Sequence, residues 1–207
     1  MASIISGEII AENVDFETFL REYMGQHVEL IDGIVIKMSP GNLQHYNIIY
    51  FLSTFIRTYL RHTGEGQCYG DPISMGIPGQ TKMRQPDLFV LKTAHLSRLK
   101  ETYLEGAADL IIEVVSPESS VRDRGEKFHE YEKLGVQEYW IIDPVHQENL
   151  FYTQDETGIF RARPLDKEGY YTSLILPQLR FQPAILLEET TPDAETAIQM
   201  IKTLLKD

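Results

Sequence analysis

The sequence has a single cysteine, Cys68, and no apolar run near the roughly 18 residues that a membrane-spanning helix needs. One cysteine excludes an internal disulfide and a Cys-x-x-Cys zinc clip, so we expect a cytoplasmic protein with no membrane partner. Residues 1–8 show no basic segment followed by a long apolar one, and we predict no signal peptide. The sequence also lacks a Walker loop, a His-Glu-x-x-His motif and a Gly-x-Ser-x-Gly motif.

Positive charge is scarce as well. The chain has 19 Lys and Arg against 31 Asp and Glu, which gives a formal net charge of −12. Proteins that bind nucleic acid mainly by neutralising phosphates are usually basic on at least one face. Any phosphate-binding surface here must therefore be local. A nuclease that holds a divalent cation can be acidic elsewhere, so the charge counts against nucleic acid without excluding it.

The remaining composition is that of a folded domain, with 43% hydrophobic and 24% charged residues. At ~150 residues per domain, the length predicts one domain over residues 1–207. We place its core at about 15–186 and a C-terminal helix at about 192–206. The apolar stripe of that helix could pack on the core or on a second subunit, so a homodimer stays open.

The hydrophobic period changes several times in the first half of the chain. Asp32-Gly33 stands between alternating apolar residues, which is a strong hairpin signal. Further on, apolar residues recur at i, i+4, i+7 and i+11, which predicts a longer helix. The expected elements are a helix, a hairpin, a long helix and two strands, at residues 15–23, 27–38, 43–62, 67–77 and 83–91.

The second half begins with a nearly all-apolar, β-branched segment at 108–115, a composition typical of a strand buried on both faces. Asp123 and Glu126 form a capping-box pattern that predicts the start of a helix, which ends near Gly135. Another buried strand is expected at 137–143. We predict an α/β fold with a mixed central sheet flanked by helices.

The end of the chain has a different texture. Residues 148–165 and 169–176 indicate antiparallel strands, with a turn near Gly158. Thr191-Pro192-Asp193 predicts the start of the last helix, with proline in its first position. We expect these elements to form a β-rich C-terminal extension.

Glu113 is the most informative residue because it interrupts the apolar strand Leu110–Val115. An ionised carboxylate in such a place costs several kcal/mol, by rough estimate, unless it is paired, hydrogen-bonded or bound to a cation. One interpretation is a structural ion pair or a carboxylate that accepts backbone N–H bonds. The other is a functional acid.

Asp87 and Lys127 share this ambiguity. Asp87 follows Pro86 at the entrance of another apolar strand, where it could simply cap the turn. Lys127 lies on the same helical face as Tyr131 and Leu134, so it either points inward or extends along the rim. Two carboxylates on adjacent strands with a lysine facing them suit a metal-dependent hydrolase. One or two carboxylates, waters and phosphate oxygens complete the octahedral shell of Mg²⁺, and Mn²⁺ could substitute.

The ordered set of motifs resembles the PD-(D/E)XK nuclease superfamily, and more closely a bacterial restriction-endonuclease-like family. The resemblance spans roughly residues 15–186. It implies a core of helix, three strands, helix and strand, with phosphodiester hydrolysis of DNA by a metal-activated water. The residues that carry it are Glu29-Leu30-Ile31-Asp32-Gly33, His45, Arg84-Gln85-Pro86-Asp87-Leu88, Ile112-Glu113-Val114-Val115-Ser116-Pro117, Asp123-Arg124-Gly125-Glu126-Lys127, Tyr131 and residues 135–143.

One position departs from the superfamily pattern, in which a lysine follows the glutamate by two residues. That position is Val115, and the resemblance implies that the lysine has moved to Lys127. It further implies that Asp87 and Glu113 bind the metal, that Glu29 adds a third acidic ligand, and that His45 is a site residue. Glu29 could equally be an exposed strand residue, and His45 could be a core or capping histidine.

Two rival functions stay open. The chain could be a non-catalytic binding or assembly module with the nuclease fold, which the net charge and Val115 favour. It could also hydrolyse a smaller phosphorylated substrate. The basic residues near the motifs could bind phosphates, although solvation at the surface is the simpler interpretation; they are Lys82, Arg84, Arg122 and Arg124.

Overall fold

The computed structural model describes residues 7–116 and 120–206, which form a mixed α/β fold. The first elements are β1 (Glu8–Ala11), α1 (Phe16–Glu22), β2 (Val28–Ile31), β3 (Ile34–Lys37), α2 (Leu43–Thr63), β4 (Gly66–Gly70), β5 (Ser74–Gly76), β6 (Lys82–Arg84) and β7 (Leu88–Lys92). They are followed by β8 (Tyr103–Glu105), β9 (Leu110–Val114), α3 (Ser120–Arg124), α4 (Glu126–Leu134), β10 (Glu138–Asp143), β11 (Glu148–Gln154), β12 (Phe160–Ala162), β13 (Tyr171–Thr172), β14 (Arg180–Phe181) and α5 (Ala194–Leu204). Short 3-10 helices cover Thr93–Arg98 and Pro183–Leu187.

The strands form two six-stranded sheets and one two-stranded sheet. The first sheet has the order β1-β3-β2-β6-β5-β8, and the second has the order β12-β11-β10-β9-β7-β4. In the second sheet β9 and β10 are parallel, and α3 and α4 make the connection between them. The predicted mixed α/β class is confirmed, but the chain has a second large sheet that the sequence patterns did not predict.

The N-terminal elements follow the predicted patterns. Asp15 caps α1 by accepting a hydrogen bond from the amide of Thr18 at 2.8 Å. β2 and β3 pair as an antiparallel hairpin across Asp32 and Gly33, whose φ values of 51° and 82° give the twist that a two-residue hairpin turn needs. This hairpin carries Glu29 into the first sheet.

The predicted strands at 67–77 and 83–91 are each divided into two, which corrects the sequence interpretation. β4 and β7 belong to the second sheet, whereas β5 and β6 belong to the first. A proline stands at each division, Pro72 and Pro86, and proline has no N–H to donate to a strand ladder. The chain therefore crosses between sheets at both points.

The long helix α2 covers one face of the second sheet, as its apolar stripe predicts. Its N-terminus is capped by Asn42, and it ends at Gly64 in the left-handed conformation. The side chains on its inner face are fully buried, among them Phe51, Leu52 and Phe55. They share a core with α5 and the sheet, so α5 packs on its own chain in this structure.

Two predicted helix starts are wrong. The first residue of α5 is Ala194, after the capping residue Asp193, so Pro192 precedes the helix. Asp193 Oδ1 accepts a hydrogen bond from the amide of Thr196 at 2.9 Å, so Asp193 and not Thr191 caps the helix. Likewise, α4 starts after Gly125, and Asp123 belongs to the separate short helix α3.

No helix in the described ranges is long and apolar enough to cross a membrane. Two predictions from the sequence fall partly outside these ranges. Residues 1–6, which enter the prediction of no signal peptide, and Pro117, which belongs to the motif around Glu113, are not among the described residues.

A second buried glutamate, Glu138, ties β10 to the C-terminal segment. Its carboxylate accepts hydrogen bonds from Trp140 Nε1 at 2.6 Å, Tyr171 OH at 2.7 Å and the amide of Ile175 at 2.8 Å. Ser173 Oγ donates a fourth bond at 2.9 Å. Neutral donors from β10 and from the C-terminal segment therefore satisfy the carboxylate.

We predict that Glu138→Ala lowers the free energy of unfolding by about 3–5 kcal/mol, because several buried donors lose their acceptor together. Glu138→Gln should cost less, since one amide oxygen can still accept. Urea unfolding followed by tryptophan fluorescence measures both. An alanine variant with an unchanged midpoint would show that this network contributes nothing to stability.

Candidate active site

Glu113 lies at the end of β9 with its carboxylate buried between the sheet and α4. Its Oε1 accepts hydrogen bonds from Lys127 Nζ at 2.8 Å and from Tyr131 OH at 2.7 Å. The side chain is 3% exposed. The strand before it is apolar because it is covered on both faces, so Glu113 is the polar end of an otherwise hydrophobic element.

Asp87 stands beside Glu113 on the neighbouring strand. β7 and β9 are antiparallel with Leu88 opposite Ile112, and one further step along the register brings Asp87 next to Glu113. Asp87 Oδ2 accepts the amide of Val114 at 2.6 Å, which fixes the carboxylate at the edge of the sheet. The two predicted acids are thus brought together, with Asp87 the more exposed.

Lys127 joins the carboxylates of three separate elements. Its ammonium lies 2.8 Å from Glu113 Oε1, 3.3 Å from Glu29 Oε1 and 3.5 Å from Asp123 Oδ1. The lysine is 2% exposed, so it points inward as its position on the helical face indicated. It does not extend along the rim, because α4 packs this face directly over the end of β9.

Glu29 is buried and not an exposed strand residue. Arg84 NH1 donates to its Oε2 at 2.9 Å, and the amide of Gln85 donates to Oε1 at 3.2 Å. Burial opposes its ionisation, but Lys127 and Arg84 together hold the pKa of Glu29 below its usual range. Both of its oxygens therefore contact protein donors in this structure.

His45 lies in the first turn of α2 and reaches the same cavity from the other side. Its Nε2 is 3.5 Å from Asp87 Oδ1. Burial opposes protonation, but Asp87 outweighs it and raises the pKa of His45. Gly41 packs so closely on the ring that a Cβ there would overlap it, which explains the glycine before the helix.

Asp123 is a site residue that the sequence patterns missed. It is 1% exposed and faces Lys127, and its backbone carbonyl accepts the Tyr139 hydroxyl at 3.1 Å. Its capping-box spacing with Glu126 predicted a helix cap instead. The signals available were its place in the motif that ends at Lys127 and its spacing of four residues from that lysine.

Of the basic residues near the motifs, Arg84 and Arg122 are buried, whereas Lys82 and Arg124 are partly exposed. Arg84 is 2% exposed and bonds Glu130 Oε2 at 2.6 Å as well as Glu29. Lys82 contacts Glu130 at 2.7 Å, and Arg124 contacts Asp143 at 2.6 Å. Arg122 lines the site cavity. Most of these cations therefore pair with carboxylates of the protein itself.

A small cavity of about 40 Å³ joins these groups. A water molecule occupies about 30 Å³ in the liquid, so the space suits one or two small occupants. The acids around it are oxygen donors of the kind that hard cations prefer. No group of three or more His, Cys, Asp or Glu residues suited to hold a metal occurs in residues 7–116 and 120–206. The residues that line the cavity include Glu29, His45, Asp87, Glu113, Asp123 and Lys127.

The cavity brings several carboxylates close to Glu113. Burial raises the pKa of Glu113, and the nearby Asp123 and Asp87 carboxylates add to this against the opposing effect of Lys127. Lys127 is not the only cation beside these acids, because Arg84 lies 2.9 Å from Glu29 and Arg122 lies 3.9 Å from Asp123. An additional cation at Glu113 and Asp87 would relieve the repulsion between these two carboxylates, so the donor set fits a divalent metal held by two carboxylates.

The fold of this chain has a counterpart among solved structures. A solved structure with the same fold is that of a putative nuclease belonging to DUF820 from Anabaena variabilis, with a TM-score of 0.65 and 16% sequence identity. The match covers 91% of this chain and 99% of that chain. No curated protein is significantly similar in sequence.

The sequence comparison identifies the family. The model of Uma2, described as a putative restriction endonuclease, matches residues 14–184. The chain therefore belongs to the Uma2 family, which agrees with the resemblance drawn from the motifs. The matched range contains the acids, the lysine and the histidine of the cavity.

We predict that Lys127→Met lowers the free energy of unfolding by about 3–5 kcal/mol at pH 8, because buried carboxylates lose their shared cation. Burial raises the pKa of both Glu29 and Glu113, and the positive charge of Lys127 opposes this effect at each carboxyl. Without it, the folded state keeps protons on these carboxyls at pH values where the unfolded chain has lost them. Stability of the variant then falls as pH rises above the unfolded carboxyl range, and the deficit should shrink at pH 5.5.

Urea unfolding at pH 5.5 and pH 8 measures this difference. Lys133→Met is the matched control, since Lys133 is exposed in the last turn of the same helix. It should change stability by less than about 1 kcal/mol at both pH values. An equal loss at both pH values for Lys127→Met would contradict the electrostatic explanation.

Proposed function

We propose that the protein is a metal-dependent DNA endonuclease that hydrolyses phosphodiester bonds. The observation that carries the proposal is the meeting of Asp87, Glu113 and Lys127 at one buried cavity, from three separate elements of the chain. Membership of the Uma2 family and the shared nuclease fold support the same class of activity. Metal dependence and the DNA substrate are our proposals.

Asp87 and Glu113 would hold the metal, with Mg²⁺ as the expected ion and Mn²⁺ as a substitute. Magnesium is commonly bound by one or two carboxylates together with waters and substrate phosphates, so a full cage of protein ligands is unnecessary. When bound, such a cation neutralises charge on the phosphodiester and acidifies a water for attack. Glu29 could add a further carboxylate, although its oxygens already contact Arg84 and Lys127.

Lys127 would position Glu113 and orient the attacking water. An ammonium has three donors, and its contact with Asp123 is long at 3.5 Å. A water can take that donor while the short bond to Glu113 is kept. Tyr131, which donates to the same oxygen of Glu113, prevents the carboxylate from turning away.

His45 would orient Asp87 from the opposite side of the cavity. Its Nε2 approaches Asp87 Oδ1, while Oδ2 is held by the amide of Val114. The two contacts leave the carboxylate with little freedom to rotate. This arrangement suits a group that must present one oxygen to a ligand in a fixed direction.

We predict that Mg²⁺ or Mn²⁺ raises the melting temperature of the wild-type protein. At a hundredfold excess over the dissociation constant, the stabilisation is about 2.7 kcal/mol, or about 5–10 °C for a chain of this size. Asp87→Asn and Glu113→Gln should abolish the shift, because each removes a charged ligand. Thermal denaturation with and without metal measures it.

The same variants should lower plasmid cleavage in Mg²⁺ or Mn²⁺ by at least about 100-fold. Glu195→Gln is the matched control, because Glu195 is exposed on α5 and away from the cavity. It should cleave like the wild type. Equal cleavage by all four proteins would indicate a contaminant. Metal binding without cleavage of any phosphodiester would favour the non-catalytic module.

A further inference from the structure

One face of α2 leads outward from the candidate active site. Six residues on this face are joined by steps of three or four positions, which places them along one side of the helix. From the site outward, the line begins with tyrosines, continues with hydroxyl side chains and ends with arginines. The members of this stripe, named here the α2 stripe, are Tyr46, Tyr50, Ser53, Thr54, Arg57 and Arg61.

The α2 stripe borders a continuous groove. The site cavity and a neighbouring cavity of about 290 Å³ share His45 and Asp87 in their walls. That neighbour shares Ser53, Arg57 and Tyr69 with a third cavity of about 690 Å³, which extends to Arg61. The three cavities are therefore neighbours, and together they form a groove that leads from the acids to the end of the helix.

The α2 and β4 walls of this groove differ in charge from the whole chain, although Asp71 and Asp87 line the part nearest the site. The net charge is −12, yet the 21 residues of α2 and the five of β4 contain no aspartate or glutamate. Within the described parts of the chain, neither Arg57 nor Arg61 makes an ion pair, and both side chains are exposed. Asp71 also lines the groove, but it pairs with His27 at 3.2 Å.

The contrast with the other basic residues is informative. Arg84, Lys82 and Arg124 each contact carboxylates of the protein and have little capacity left for a ligand. The two arginines of the α2 stripe keep their donors for an external anion. Guanidinium groups suit phosphate because their paired donors match two of its oxygens.

The aromatic part of the stripe suits an unpaired base. Tyr50 is 66% exposed, which is unusual for so large a ring, and it stacks loosely on Tyr46 with centroids 6.4 Å apart. Exposed aromatic rings next to a basic groove are the usual platform for single-stranded nucleic acid. A base in a duplex is already stacked on both sides and could not use Tyr50 in this way.

We propose that the α2 stripe guides a single-stranded stretch of nucleic acid to Asp87, with Arg57 and Arg61 binding its phosphates and Tyr50 stacking on a base. This inference rests on the proposed function for the chemistry at the end of the groove. From Tyr46 to Arg61 the helix rises about 22 Å. That length spans about six nucleotides at the 3.4 Å spacing of a stacked strand.

The test is binding of a fluorescein-labelled 20-nucleotide single strand, followed by anisotropy in EDTA so that no cleavage occurs. Arg57→Glu/Arg61→Glu should weaken binding at least tenfold. It should also reduce the slope of log K against log salt by about 1.4, as expected for two lost phosphate contacts. Tyr50→Ala should weaken binding about tenfold, whereas Tyr50→Phe should bind like the wild type.

Lys167→Glu/Lys202→Glu is the matched control, because it makes the same change in net charge at exposed sites outside the groove walls. Its affinity should stay within twofold of the wild type. Equal losses by both double variants would reduce the effect to net charge and overturn the inference. So would a wild type that binds no oligonucleotide, or a matching duplex that competes equally while Tyr50→Ala has no effect.

A second measurement separates this inference from the proposed function. Hydrolysis of bis(p-nitrophenyl) phosphate with Mn²⁺ requires the site cavity. This substrate is too small to contact the α2 stripe while it is bound there. Arg57→Glu/Arg61→Glu should retain this hydrolysis while losing the oligonucleotide. The wild type could bind the oligonucleotide through the α2 stripe and yet hydrolyse neither substrate. That result would contradict the proposed function and support the binding surface.

Discussion

The contact between the Lys127 ammonium and three buried carboxylates is the interaction on which the rest of the site depends. Glu29, Glu113 and Asp123 come from β2, β9 and α3, so this one cation holds together both large sheets and the crossover between β9 and β10. Removing it would leave several uncompensated charges in a dry interior.

The positions of the cations are as important as the contact. Arg84 lies 2.9 Å from Glu29 and Arg122 lies 3.9 Å from Asp123, so two of the three carboxylates have a second cation nearby. Glu113 is paired with Lys127 and lies beside the more exposed Asp87. Under the proposed function, a cation bound at Glu113 and Asp87 would offset the repulsion between these two carboxylates.

The sequence was sufficient to predict much of this arrangement, and the reasons are local. Burial of the β9 segment follows from its composition, and the inward direction of Lys127 follows from helical spacing. The division of residues 67–91 between two sheets could not be predicted, because Pro72 and Pro86 indicate where a strand ends but not which sheet the chain joins next.

Other features depend on contacts that no pattern specifies. Asp123 has the spacing of a helix cap, and only the fold decides that it faces Lys127 instead of the free amides of α4. Arg84 was expected at the surface because arginine usually is, yet it is buried between Glu29 and Glu130. For Arg84, long-range pairing with Glu29 overrode the general preference of arginine for the surface.

The acidic surface and the neutral-to-basic α2 face would act together on a polyanionic substrate. A polyanionic substrate is repelled by most of a chain with a net charge of −12, and this repulsion weakens only over about 10 Å at 0.1 M salt. Free arginines scattered over such a surface would attract phosphates in many unproductive orientations. Under the proposed function, the pairing of most other cations near the site would confine this attraction to the groove that ends at Asp87. The same ion pairs that stabilise the fold would then also restrict the direction from which a phosphodiester approaches.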